Sequence, residues 1–586
     1  MKPKSKIESL FEALFINPHN LNLVTKIERV VARMNMTEKM IFVAAATISV
    51  ITGIALLIQA HNSFLVEVPS FGGSLTEGVV GSPRFINPAL AISDADKDLT
   101  SLVYSGLLKL SVDGGLKTDI AESYEISEDG RTYRVKIKED AYFHDGKKVT
   151  ADDVIFTIGK VTDPIIKSPK KSNWDGVSVE KISESQLAFT LQKPYSPFAY
   201  ALALGILPKH IWENVSPEEF PFSEFNINPV GSGPYKIEKV SRNSGGIPTS
   251  ITLSSWKRYS PERPKIKNMT FKFFQNENDL AKAYTDRSVE SAAGLSAATA
   301  RGLVDNKSEI YKASLPRVFG VFFNQNVSPV LLNKEVREAL DMTAPKQRIV
   351  DEVLSGFGSI LNGPTPWNIE VNEAKTEGLS TEEAKELLYQ AGWKENENGI
   401  LEKKTKSGTT LLSFSISTSD APELKKTAEI LQETWSQLGA LVEIKVFEAG
   451  DLSQNVIKMR KYDALLFGEV ISEESDLYPF WHSSERNHPG LNISLYANIT
   501  VDKKLSELQS ERDEEARAKQ KEAIFAEIKN DVPAVFLFSP HFLYAPAPKV
   551  KNILLKDVSS QNERFLSATE WFIETDKVLS FFKQTN

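Results

Sequence analysis

The sequence predicts an α/β protein of more than one domain, preceded by a single membrane-spanning helix. Three observations carry that expectation. The chain has 586 residues, whereas a single hydrophobic core stops growing near about 250–300 residues. Its second half alternates apolar patterns of period 2 and period 3.6. Residues 40–60 contain no charged side chain at all. With 41% hydrophobic and 25% charged residues the composition is that of a globular protein, which excludes disordered and collagen-like classes. Zero cysteine excludes disulfides, a thiolate nucleophile, Cys-ligated metal and any lipid carried on cysteine.

The uncharged stretch comes first. At 1.5 Å per residue, about 20 apolar residues cross a hydrocarbon core of about 30 Å, and no second run is comparable. Residues 1–39 hold seven basic residues (Lys2, Lys4, Lys6, Lys26, Arg29, Arg33 and Lys39) against four acidic ones, a surplus of three. The rest of a chain of net charge −8 therefore carries −11. This basic flank predicts a single-pass plasma-membrane protein with residues 1–39 cytoplasmic and everything beyond residue 60 outside. A cleaved signal peptide is the competing reading. Its basic lead would be too long, its apolar core exceeds the usual ~7–15 residues, and Ile58-Gln59-Ala60 fits a cleavage site poorly. Within 1–39, Ile7, Leu10, Phe11, Leu14 and Phe15 keep helical spacing until Asn17-Pro18. Val24, Ile27, Val31 and Met34 form a looser stripe. A helical pair lying on the inner membrane face and a plain tail with a turn or two of helix both fit.

Residues 61–75, with Pro69, Gly72 and Gly73, read as a linker. Beyond it, Tyr124, Ile126, Tyr133, Val135 and Ile137 alternate around Ser127-Glu128-Asp129-Gly130, which predicts a hairpin over 124–138. Residues 151–161 read as a helix capped by Thr150 and stopped by Asp163-Pro164. Ala384, Leu387, Leu388 and Ala391 stripe a helix ended by Gly392. Leu412, Phe414 and Ile416 alternate; Leu424, Ala428, Leu431, Trp435 and Leu438 stripe a helix ended by Gly439; Val442, Ile444 and Val446 alternate again. A helix over 452–461 and an apolar strand over 462–467 complete the run. That order is a doubly wound lobe, whose ligands sit at the carboxyl ends of its strands, and so it points to residues 468–476.

Catalytic arrangements are missing. Gly146-Lys147-Lys148-Val149 lacks the upstream glycine and the hydroxyl of a phosphate loop, and there is no HExxH or GxSxG pattern. Gly356-Phe357-Gly358 lacks the third glycine of a dinucleotide loop and reads as a turn. His482 and His488 lie beside Trp481 without identifiable third and fourth ligands, so they read as surface histidines and no metal or cofactor is expected. The acidic external part has no basic stripe, which disfavours nucleic acid. Binding is favoured over enzymatic activity.

Several segments carry a resemblance. Phe85-Ile86-Asn87-Pro88-Ala89-Leu90, Leu102-Val103-Tyr104-Ser105-Gly106-Leu107, residues 120–133 and residues 143–154 are similar to successive motifs of the extracytoplasmic solute-binding proteins of peptide ABC transporters (family 5, dipeptide- and oligopeptide-binding type). So are Leu207-Pro208-Lys209-His210-Ile211-Trp212, Asn228-Pro229-Val230-Gly231-Ser232-Gly233-Pro234-Tyr235, Phe322-Phe323-Asn324, residues 336–340, residues 384–393 and Thr500-Val501-Asp502. The similarity runs from about residue 78 to about residue 555, and the 120–157 run is its most specific part.

The resemblance implies a two-lobe periplasmic-binding-protein-like (Venus-flytrap) fold with an extra subdomain. Lobe I would span 76–313, with the subdomain at 111–224 and a return over 536–586; lobe II would span 314–535. Residues 318–324 and 534–543 would cross between them. It further implies a monomeric receptor that closes on a peptide and delivers it to an ABC transporter permease, held to the membrane here by residues 40–60. Relatives that bind nickel complexes, haem or oligosaccharides keep a non-peptide solute open, and residues 1–39 leave room for a signalling receptor. The family's ammonium-binding acid corresponds in place to Glu473, and its second acid to Asp476. The family's Trp, and the Pro after the second acid, are absent. Gly468, Glu469, Tyr478, Trp481, Phe323 and Asn324 are candidate cleft residues on the same grounds, as are Ser82, Pro83 and Tyr104 near the first strand and helix. Tyr478, Trp481, Phe323 and Asn324 also suit a core. Gly231 and Gly233 are expected to serve turn geometry.

Overall fold

The uncharged stretch lies inside one α-helix, Met36–Ser63, whose Met36–Gln59 portion is long and apolar enough to cross a membrane and buries nothing. The computed structural model describes residues 31–32, 34–260, 262–306, 308–366, 381–405, 408–471, 477–511 and 513–579. The stripes expected over 7–15 and at Val24 and Ile27 lie outside them. The helix belongs to a compact unit made of Met1–Pro69 and Thr575–Asn586. Straight after the helix, Leu65–Pro69 forms a strand that pairs antiparallel with Thr575–Leu579, Leu65 opposite Leu579 and Pro69 opposite Thr575. Residues 61–75 thus carry secondary structure where the sequence suggested a linker. Their strand partner lies at the far end of the chain, where no local pattern reveals it.

Ser70–Glu574 forms the other unit. Its largest sheet has two halves joined by one long strand, Ala534–Ala545. In the first half of that strand, residues 534–538 pair with the strand Arg317–Phe323. In the second half, residues 541–545 pair with Tyr311–Ser314 and Ser291–Ala293. The chain therefore passes between the halves twice, at Leu315-Pro316 and at Ser539-Pro540, and Ser539 Oγ ties the passages by donating to Leu315 O at 2.7 Å. Separate cores flank the passages. One gathers residues between Leu75 and Leu315 together with Phe542–Trp571 contributions. Two others, one on each face of the second half-sheet, draw on residues 318–538.

In the second half-sheet, Ser413–Ser419 runs parallel to both Leu441–Phe447 and Ala464–Val470. The return between the first two is the helix Pro422–Gln437. It buries Leu424, Ala428, Leu431 and Trp435, the stripe its sequence spells, and Trp435 Nε1 donates to Leu340 O at 3.0 Å. Two boundaries differ from the sequence reading. Instead of a helix over 452–461 there is one turn, Ala449–Asp451, continuing as a π-turn over Leu452–Ile457. The strand read as 462–467 is Ala464–Val470. Asp463 is withheld from the strand because its carboxylate accepts Ser415 N–H at 2.9 Å and Ser415 Oγ–H at 2.8 Å. The far end extends because Gly468, Glu469 and Val470 pair with Phe319, Val318 and Arg317.

Lobe I carries an antiparallel four-stranded sheet in the order Ala121–Ile126, Thr132–Ile137, Gln186–Leu191, Val177–Ser183. Its first turn is the expected one. Gly130 takes φ 67°, and Asp129 accepts Ser127 Oγ–H and the backbone and side-chain N–H of Arg131, which hold its carboxyl below the usual carboxylate range. The motifs behind the family resemblance are stitched to one another here. Asp153 accepts Thr150 N–H at 2.9 Å, capping the helix Ala151–Thr162, and its other oxygen accepts Lys209 N–H at 2.8 Å. His144 N–H donates to Gly231 O at 2.8 Å, its Nδ1 accepts Gly231 N–H at 3.3 Å, and its Nε2 meets Gly233 O at 3.0 Å. That network assigns the proton to Nε2 of a neutral ring. Gly231 and Gly233 have ordinary φ values, so the turn role expected of them is corrected: a Cβ at Gly231 would meet Val103 O at 1.9 Å and one at Gly233 Leu102 O at 2.6 Å. They are glycine because their backbone is pressed against the end of the helix Asp94–Val103.

Candidate functional site

Cavities lie beside the two passages, and they are the candidate site. One, of about 190 Å³, is lined by the turn Ser111-Val112-Asp113-Gly114, the passage Ser314-Leu315-Pro316, and Lys556–Ser559 with Glu563 and Leu566. The other, of about 610 Å³, shares Asp113 and Gly114 with it. This larger cavity lies between the four-stranded subdomain of lobe I and the lobe II helix Glu514–Asp531. The larger cavity is called the cleft.

The subdomain brings aromatic rings to this cleft. Tyr124 comes from the hairpin, Tyr195 from the loop before the short helix Phe198–Ala201 and Tyr200 from that helix, while Tyr133 on the hairpin's second strand borders the cleft from an almost wholly buried position. The helix Glu514–Asp531 answers with Glu514, Arg517, Lys521, Glu522 and Phe525. Asp513 caps it by accepting Ala516 N–H at 2.8 Å. Arg517 reaches across the cleft: its Nη1 donates to Ser196 Oγ of lobe I and to Glu511 O at 3.1 Å. On the hinge side, Ser111 Oγ–H holds the exposed Asp113 carboxyl below its usual range, so Asp113 stays ionised. The surface thus combines π faces, hydroxyls and both signs of charge, which suits a polar organic solute with apolar side groups.

Glu473 and Asp476 lie outside the described residues. Ile471, just before them, is fixed at the hinge, its N–H donating to Pro316 O at 2.7 Å. None of the other sequence-predicted residues lines either cavity. Gly468 and Glu469 are in the strand Ala464–Val470 and not in the segment after it. Gly468 is glycine because a Cβ there would meet the Phe319 ring at 2.5 Å, and that ring stacks on Phe538 with centroids 4.9 Å apart. Phe323 is buried in a lobe II core. Asn324 is buried at the end of its strand, with Nδ2 donating to Arg460 O at 3.0 Å and Oδ1 accepting Asn326 N–H at 3.1 Å. Trp481 is a core ring, edge-on to Tyr496 and Phe536, while Tyr478 stacks on His482 with centroids 4.0 Å apart. In lobe I, Ser82 Oγ donates to Pro248 O at 2.9 Å, Pro83 is buried, and Tyr104 has an unpaired hydroxyl whose pKa burial pushes up.

Sequence reasoning missed the residues that do line the cleft. Tyr124 and Tyr133 sit in the recognised hairpin, but alternation alone does not say which face meets another lobe. Tyr195-Ser196-Pro197 was the available signal, an aromatic and hydroxyl pair at a proline-fixed loop. Arg517 gave none. Among the described residues there is no group of three or more His, Asp or Glu able to hold a metal ion.

Comparison with known proteins agrees with this architecture. A model of the bacterial extracellular solute-binding proteins, family 5 (middle), matches residues 115–488. The oligopeptide-binding protein AppA of Bacillus subtilis is 30% identical over 488 residues, covering 81% of this chain and 87% of that protein. The structure of AppA from Bacillus subtilis in complex with a nonapeptide superposes with a TM-score of 0.62 at 28% identity, over 86% of this chain and 100% of that one. That of NikZ from Campylobacter jejuni in complex with Ni(L-His) gives 0.64 at 26% identity, over 85% and 99%.

Proposed function

The chain belongs to the bacterial extracellular solute-binding proteins of family 5, and from that premise we propose that it is a membrane-anchored receptor which binds peptides between its lobes and delivers them to an ABC importer. The observation that carries this reading is the cleft itself. Its two walls come from lobes between which the chain passes at Leu315-Pro316 and Ser539-Pro540, and it is lined by tyrosines on one side and a charged helix on the other. Such a receptor works by hinge closure. The ligand contacts both walls and so stabilises the closed form by its differential affinity for it. Converting a 99:1 open:closed ratio to 1:99 takes roughly 5.5 kcal/mol of that difference. Main-chain hydrogen bonds of an extended peptide supply it without regard to sequence, and tyrosine rings accept varied side chains. The cleft volume of about 610 Å³ is within the range of small-solute sites.

The domain assignment that goes with this reading is lobe I over 76–313 and 536–586, with the subdomain at 111–224, and lobe II over 314–535. The separate hydrophobic cores support it. The helix Met36–Ser63 is taken as an uncleaved anchor with residues 1–39 in the cytoplasm, supported by its length and its basic N-terminal flank. The receptor is taken as a monomer. The likeness to NikZ gives a second reading its one support, a chelated metal as cargo. Thermal shift of the full chain in lipid nanodiscs separates them. A mixed tripeptide-to-nonapeptide pool is expected to raise the melting temperature; a shift with nickel–histidine and with no peptide pool would overturn the peptide reading.

A further inference from the structure

The anchor helix runs almost directly into a strand. Its uncharged stretch ends at Gln59 and Ala60, and the polar residues His61, Asn62 and Ser63 finish it. Four steps of 1.5 Å put Ser63 about 6 Å beyond Gln59, while the headgroup layer on one side of a bilayer is about 5–8 Å deep. Phe64 follows in a turn, 51% exposed, and the strand Leu65–Pro69 begins at the next residue. In a chain whose helix spans the bilayer, the two-stranded ribbon of Leu65–Pro69 and Thr575–Leu579 therefore starts at headgroup level.

The register sorts the ribbon's residues by distance from the helix. Leu65 faces Leu579 and Val66 faces Val578 at the near end; Glu67 then faces Lys577, Val68 faces Asp576 and Pro69 faces Thr575. The near pairs are wholly apolar, and charge enters only from the third pair on, with Glu67, Asp576 and Lys577 exposed. That is the order a bilayer surface imposes. Packing within the protein does not account for it. Among the described residues the sheet has only these two strands, and neither Val66 nor Val578, both half-buried, joins a hydrophobic core. An isolated strand pair is marginal in water, so this one needs a further surface to cover it. Its single lysine against two acids gives no attraction for anionic lipid, which leaves apolar burial to carry the contact.

We propose that the helix end of this ribbon is a membrane-contact surface, with Val66 and Val578 seated among the phospholipid headgroups of the outer leaflet. This rests on the uncleaved-anchor reading and adds a second membrane contact to it, one made by the far end of the chain. The chain enters the solute-binding unit at Ser70 and leaves it at Glu574, where Ser70 N–H donates to Glu574 O at 2.9 Å. Both passages are therefore paired as they meet the ribbon. A lipid-seated ribbon tethers that unit through two strands, where a single linker would leave it free to swivel.

The chain has no cysteine, so each one added is a unique label site. Full-length Val66→Cys, Val578→Cys, Asp576→Cys and, as a reference within the span, Ile54→Cys are labelled with bimane. Each is placed in nanodiscs of equal phosphatidylcholine and phosphatidylglycerol, with and without lipids bearing a nitroxide on the headgroup or on the acyl chain. Labels at 66 and 578 are expected to lose emission to the headgroup nitroxide, the label at 576 to keep it, and the label at 54 to lose emission to the acyl-chain nitroxide. Because a label can loosen the strand pair, unlabelled Val66→Cys/Val578→Cys is oxidised in the same nanodiscs. Directly opposed residues lie within disulfide reach, so a crosslink is expected where the ribbon is formed. Emission kept at 66 and 578 while 54 is quenched overturns the proposal and leaves the anchor reading intact. Equal quenching at 66, 578 and 576, or failure of the crosslink, also overturns it. Emission kept at 54 overturns the anchor reading and the proposal with it.

Discussion

Arg564 is where a single substitution should do most damage far from the cleft. Its Nη1 and Nη2 donate to the two oxygens of Asp98 at 2.8 and 2.7 Å, its Nε donates to Glu77 at 3.1 Å, and Nη1 also donates to Gln561 O at 2.8 Å. All three side chains are fully buried, and Tyr544 O–H completes Glu77 at 3.1 Å. One cation thus serves two acids. Burial, reinforced by Asp98, pushes the Glu77 carboxyl up against the pull of Arg564, so Asp98–Arg564 is the ion pair and Glu77 the weaker partner. The cluster joins the strand Gly72–Val80, the helix Asp94–Val103 and the C-terminal return. Replacing Arg564 by Met leaves Asp98 buried without a counter-charge, a loss of about 3–5 kcal/mol against a total stability of about 5–15 kcal/mol. Neutralising the acids as well, in Glu77→Gln/Asp98→Asn/Arg564→Met, should restore most of it, because the cost lies in the stranded charge. Urea unfolding followed by fluorescence of Trp571, which packs 5.6 Å from Phe565 in the same core, reads the change. An R564M variant within about 1 kcal/mol of wild type, or a triple variant no better than the single one, would refute the reasoning.

Four further outcomes are expected. Gly231→Ala should destabilise lobe I by at least about 1–3 kcal/mol, as an overpacked site does, and a wild-type melting curve would contradict the close approach to Val103 O. Arg517→Ala and Ser196→Ala remove the same contact across the cleft, so each should weaken peptide binding by roughly 10-fold with little change in unliganded stability; equal affinities by calorimetry would show that the contact is absent from the closed form. His144, neutral and half-buried, has its pKa lowered to about 4 from 6.5, chiefly by desolvation. Its contribution is therefore present above about pH 6.5 and is lost as pH falls toward 4, to a limit of about 3 kcal/mol; a pH–stability curve that H144Q does not flatten in that window would be inconsistent. Deleting residues 575–586 removes the partner of Leu65–Pro69, and limited proteolysis should then cut within 61–75 faster while ligand affinity is unchanged.

How far the sequence reached depends on the range of the interactions involved. The hairpin over 124–138, the capped helix at 151 and the stripe of Leu424, Ala428, Leu431 and Trp435 are written in residues a few positions apart, and each stands where its pattern put it. Asp463 shows the limit. Its bond to Ser415 shortens one end of a strand, and pairing with Arg317–Phe323 lengthens the other, so neither boundary follows from local periodicity. The family motifs were legible as motifs, yet side chains of one bind the backbone of another: Asp153 that of Lys209, His144 that of Gly231 and Gly233.

The cleft residues were not legible for the same reason. Arg517 and Ser196 are 321 positions apart, and nothing near either announces the other. The sequence by itself determined the membrane-length helix, the charge asymmetry across it, the α/β class and the family, since composition, period and motif spacing are local properties. Only the tertiary structure decided which tyrosines face the second lobe and why Gly231 and Gly468 must lack a side chain. Those depend on the angle between a side chain and a distant surface, and that angle is set by packing.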